Sequence, residues 1–103
     1  DNAVQANILS LFTENPDALN QVYNIACGHQ ISLLELFNYL KQEANSNLQP
    51  IHGPDRKGDV KHSLADISKA KKLLGYNPIV SVSEGLKKTF RWYKEESLMP
   101  EKL

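Results

Sequence analysis

Apolar residues recur along this chain in short stripes of helical period, separated by polar turns. Val4, Ile8, Leu11 and Phe12 follow the i, i+4, i+7, i+8 spacing of one helix face, which predicts an opening helix buried along that side. No capping residue precedes a proper first turn, as in a chain entered part-way through a helix and belonging to something longer. Glu14-Asn15-Pro16-Asp17 ends that helix, because proline and its predecessor disfavour helical geometry. Val22–Ala26 is rich in β-formers and leaves through Gly28, the pattern of a short strand.

Ser32-Leu33-Leu34-Glu35 is a capping box: a serine oxygen serves the backbone three residues on, and the glutamate reaches back. The helix it opens places Leu33, Leu36, Phe37, Leu40 and Ala44 on one stripe, and Asn45-Ser46-Asn47 closes it. Leu48–His52 suits an edge strand, since Pro50 cannot donate to a central ladder. Gly53–Asp59 is a loop by composition. Asp66 then caps a short helix that carries Ile67, Ala70 and Leu74 on one face, with Gly75 in the C′ position and Pro78 barring continuation. A second capping box, Ser81-Val82-Ser83-Glu84, opens a last helix that buries Val82, Leu86, Phe90 and Tyr93 and runs out near Met99-Pro100. Trp92 joins Phe90 and Tyr93 in an aromatic cluster expected to be core. The reading is therefore α/β, one small helix-rich unit over 1–103 with two or three short strands. So few strands need partners from elsewhere to make a sheet.

Composition adds little until it is divided. The 103 residues are 41% apolar and 23% charged with no net charge, an ordinary globular balance. Yet residues 1–51 hold five acids and one base, whereas 52–72 hold six bases and three acids. A basic stretch inside a neutral chain suits a local anionic ligand or simply a solvated charged face, and not nucleic acid. The apolar runs are too short to span a bilayer, and no secretory leader is legible, so no membrane partner is expected. The single cysteine, Cys27, cannot form an internal disulfide and fits a reducing, cytoplasmic setting.

Candidate chemistry concentrates at Arg56-Lys57-Gly58-Asp59. The planar fork of Arg56 matches phosphate oxygens, the glycine lets backbone approach a ligand, and Asp59 can accept hydrogen bonds from a ribose diol. A plain salt bridge within the loop accounts for the same residues. His29, His52 and His62 have no metal-ligand spacing, so no metal is expected. There is no G-x-G-x-x-G and no nucleophile elbow, and no tyrosine has a lysine four positions later: Cys27, Glu43, Val80 and Ser97 stand there.

The order of these segments resembles the C-terminal region of extended short-chain dehydrogenases/reductases acting on nucleotide sugars. It is carried by Val22-Tyr23-Asn24-Ile25-Ala26-Cys27-Gly28, the Ser32 helix, Arg56–Val60, Ser63–Ala70, Leu74-Gly75-Tyr76-Asn77-Pro78, Glu84-Gly85-Leu86 and Trp92-Tyr93. The opening Asp1–Asn7 is similar to the same family's helix at the entrance to the substrate domain. Gly58–Asp66 is most similar to UDP-N-acetylglucosamine and UDP-glucose 4-epimerases, while UDP-glucuronate decarboxylases and sugar-nucleotide dehydratases share the layout.

The resemblance implies an NAD-dependent isomerase of UDP-sugars. A Rossmann domain and a tyrosine–lysine pair would lie N-terminal to these residues, and the chain alone would be inactive and bind no NAD. It implies that Arg56 meets the UDP diphosphate and Asp59 the uridine ribose, with Asn7 near the substrate side. Dimerisation would belong to the longer parent. A reading of another class, a stand-alone helical interaction module whose basic segment meets an acidic partner, uses the same charge pattern.

Overall fold

The computed structural model describes residues 1–59 and 62–98. Four α-helices appear in order: α1 Asn2–Phe12, α2 Leu33–Glu43, α3 Ser68–Leu74 and α4 Val82–Leu98, with one 3-10 turn at Pro16–Ala18. They belong to two compact units, one made of residues 1–30 and 62–81, the other of residues 31–59 and 82–98 among those described. No helix among the described residues is long and apolar enough to cross a membrane.

In the first unit, α1 packs on α3, and α3 packs on the 3-10 turn. The period expected for α1 is present, but its face is reversed. Val4, Ile8, Leu11 and Phe12 point outward, Phe12 with 73% of its surface exposed, while Ala6 is buried and Leu9 packs beside it. The inward side wins because its small residue lets α1 approach Ala70 of α3 closely, and because its polar edge satisfies backbone. Gln5 Oε1 accepts from the Asn77 N–H at 2.9 Å. Asn2 Oδ1 accepts from the N–H groups of Ile79 and Val80, both at 3.0 Å, and its Nδ2 donates to the Val80 carbonyl at 2.8 Å.

The face expected for α3 is the one buried. Ile67, Ala70 and Leu74 join Ala6 and Tyr76 in the interior. Asp66 Oδ1 accepts from the Ser68 N–H at 2.9 Å and from its hydroxyl at 2.6 Å; the hydroxyl first and the N–H second hold the Asp66 carboxyl below its ordinary pKa. At the other end Gly75 adopts φ 70°, ψ 22°, the left-handed cap that its position called for.

The expected strands are absent among the described residues. A strand exists only by pairing, and neither Val22–Ala26 nor Leu48–His52 has a ladder partner there. The Val22–Ala26 segment is held by side chains instead. Lys69 Nζ donates to the Val22 carbonyl at 3.0 Å while lying 5.4 Å from the Tyr23 ring centre, and Tyr76 Oη–H donates to the Ala26 carbonyl at 2.7 Å. Asn24 Nδ2 reaches the Asp66 carbonyl at 3.3 Å.

Gly28, which follows this segment, has φ 76°, and a Cβ there would stand 3.1 Å from Ile67 Cδ1. Gly28→Ala is expected to destabilise the first unit by about 1–2 kcal/mol through the left-handed backbone alone. Urea unfolding followed by far-UV circular dichroism checks this. Pairing the change with Ile67→Val should relieve the contact and leave the backbone cost, and an unmoved midpoint in the single variant would contradict the strain.

In the second unit α2 packs against α4. Leu36, Phe37 and Leu40 are half-buried, as are Val82, Leu86 and Phe90. Four residues assigned to these faces or to the aromatic core stay exposed: Leu33, Ala44, Trp92 and Tyr93. The two aromatics meet edge to face at 4.9 Å. They sit late in a 17-residue helix whose partner has 11 residues, so the last turns of α4 outrun the surface that could cover them. The predicted helix end at Met99-Pro100 lies outside the described residues.

Candidate functional site

The site is built from one helix start and the loop that follows α2. At the helix start, Ser32 Oγ accepts from the Glu35 N–H at 3.1 Å, and the Ser32 N–H donates to Glu35 Oε2 at 2.6 Å. The predicted capping box is thus closed at both bonds. It fixes the first turn of α2 and sets Leu33 and Leu34 just beyond the cap. The Ser32 N–H first, and its hydroxyl second, hold the Glu35 carboxyl below its ordinary pKa of 4.5.

A folded-state pKa below the unfolded one gives stability that is present above pH 4.5 and lost as pH falls through the lower folded value. Helicity measured by circular dichroism is therefore expected to fall below pH 4.5, and Glu35→Gln should remove part of that pH dependence. A variant with the wild-type profile would show that this carboxylate does not hold the cap.

The loop leaves α2 through Asn45, at φ 51°, and runs without helix or strand to a tight turn. The Asp59 N–H donates to the Arg56 carbonyl at 3.2 Å, with Gly58 at φ 85° in the position that a type II turn reserves for glycine. The turn places Arg56 and Asp59 on one groove. This groove is open, has a volume of about 850 Å³, and is walled by Leu33, Leu34, Phe37, Pro50, Ile51 and Pro54. Its apolar rim is unusually bare: Leu33 is 82% and Ile51 98% exposed.

Both candidate residues therefore line one concavity, and among the described residues no ion pair joins them. An apolar wall beside a guanidinium and a carboxylate can take a flat ring, an anion and a hydroxyl pair in one ligand. Val60 and Lys61 of the same motif lie outside the described residues. Asn7 lies in the first unit, exposed on α1.

Sequence reasoning assigned the groove's wall to other work. Leu33 and Phe37 counted as core stripe and Ile51 as edge strand, yet all three line the groove. A signal was present in Pro50-Ile51-His52-Gly53-Pro54, where an isolated apolar residue sits between two prolines. Such a residue has neither ladder nor helix to bury it. Among the described residues no group of three or more His, Cys, Asp or Glu could hold a metal ion.

No family model matches the chain. Solved structures and sequence relatives do. The UDP-glucose 4-epimerase of Thermotoga maritima, solved with UDP-glucose, matches with a TM-score of 0.82 and 37% identity over 94% of this chain and 30% of its own. A UDP-glucuronate 4-epimerase of Thermodesulfobacterium geofontis is 40% identical over 73% of this chain and 24% of its own length. A putative UDP-glucose 4-epimerase of Methanocaldococcus jannaschii is 31% identical over 90% of this chain and 28% of its own length.

The chain belongs to the NAD-dependent epimerase/dehydratase family of extended short-chain dehydrogenases/reductases. It spans about a quarter of the length of the curated relatives it matches. A dTDP-glucose 4,6-dehydratase and a UDP-glucuronic acid decarboxylase match as well, so members of this family with different reactions share these residues' layout.

Proposed function

We propose that these residues form the C-terminal, sugar-nucleotide-binding portion of a cytoplasmic UDP-sugar 4-epimerase. The single observation that carries the reading is the groove. It unites an apolar wall, an arginine and an aspartate in one concavity, in a chain that is similar over 94% of its length to an epimerase solved with UDP-glucose. In this reading the uracil ring lies against Leu33 and Ile51. Arg56 holds the diphosphate through its planar fork, and Asp59 accepts from the ribose hydroxyls. The work done here is binding and orientation, which fixes the sugar relative to the reacting centre.

In a longer parent, NAD would supply hydride transfer at the sugar carbon. This chain has neither its glycine fingerprint nor a tyrosine–lysine pair, so those groups belong to an N-terminal Rossmann domain of a longer parent. By itself the chain is then inactive, and dimerisation is a property of the parent. Decarboxylation or dehydration is the second reading, supported by the relatives that perform those reactions. Assaying the parent with UDP-glucose, UDP-N-acetylglucosamine and UDP-glucuronate separates the three outcomes.

The binding role is testable on the chain in hand. UDP titrated into ¹⁵N-labelled protein is expected to shift resonances of residues 32–37 and 50–59. Arg56→Ala should weaken that binding by about 1.5–3 kcal/mol, the worth of a hydrogen bond to a charged group, or roughly 10- to 150-fold. Shifts confined to other residues, or an affinity indifferent to Arg56, would refute the assignment.

A further inference from the structure

We draw no further inference here: the strongest candidate, the exposed apolar stripe of Val4, Ile8, Leu11 and Phe12 along the outward side of α1, is an unpartnered face, and nothing in the structure shows what covers it.

Discussion

Tyr76→Ala is expected to cost the first unit about 3–5 kcal/mol, the range for removing a buried aromatic. Tyr76 is 2% exposed and is the largest fully buried side chain of the molecule among the described residues. It packs in a cluster with Ala6, Ile67 and Ala70, edged by Leu9, Tyr23 and Ala26, and an alanine would leave a void among them. The change also removes the hydroxyl that serves the Ala26 carbonyl at 2.7 Å, and with it one of the bonds holding the Val22–Ala26 segment.

Small domains are stable by only about 5–15 kcal/mol, so this loss should show as a large drop in the urea midpoint, with Ala6 and Ala70 amides losing exchange protection. Tyr76→Phe isolates the hydroxyl and should cost about 1 kcal/mol. A loss under about 1.5 kcal/mol for the alanine variant would show that the unit's core does not depend on this ring.

The same residue carries a pH signature. Burial first, and the neighbouring Cys27 second, raise the Tyr76 pKa above its ordinary value of 10.0. A folded pKa above the unfolded one means the stabilisation is complete below pH 10 and is lost as pH climbs through the folded value. Alkaline unfolding of the wild type should therefore be steeper than that of Tyr76→Phe.

Asn2→Ala should be the second costly substitution, at about 3 kcal/mol. One side chain accepts from two backbone N–H groups and donates to one carbonyl, and each such bond contributes about 1 kcal/mol. The geometry is that of a single rung of β-ladder supplied by an amide. Alanine would strand the N–H groups of Ile79 and Val80 together and leave the Val80 carbonyl only the Cys27 thiol at 3.7 Å. Asn2→Asp keeps the accepting oxygen and loses the donor, so its cost should fall between wild type and alanine. Thermal unfolding of the three proteins at one pH gives the order, and a neutral alanine variant would mean that water replaces the clamp.

What was legible beforehand was local. The α2 start was written in Ser32 and Glu35, and the α3 end in Gly75, because capping involves residues within four positions of each other. Pairing and facing are not local. Val22–Ala26 has the composition of a strand, yet whether it becomes one depends on a second strand far away in sequence. α1 is apolar on two sides, so periodicity located a helix and could not say which side meets α3. The decision fell to Ala6, whose lack of bulk carries no hydrophobic signal.

Tyr76 was invisible for a related reason. It sits in a loop between a glycine and a proline, where no period marks burial. In the site, Arg56 and Asp59 were named by their chemistry, whereas the wall of Leu33, Phe37 and Ile51 depends on a loop folding back over a helix start. Such proximity has no spacing rule.

The clamp at Asn2 also dictates an order of events. Its partner Val80 is 78 residues away, Gln5 meets Asn77 across 72, and Tyr76 meets Ala26 across 50. Doubling a loop's length adds only about 0.6 kcal/mol of closure entropy, so the finished unit loses little stability to these separations. Its folding rate is what suffers, since contacts this remote must form late. As the chain grows from its N-terminus, residues 31–59 are complete before the first unit has received Ile67, Ala70 or Tyr76. α1 must wait, with Ala6 uncovered, until residues 67–76 have been made.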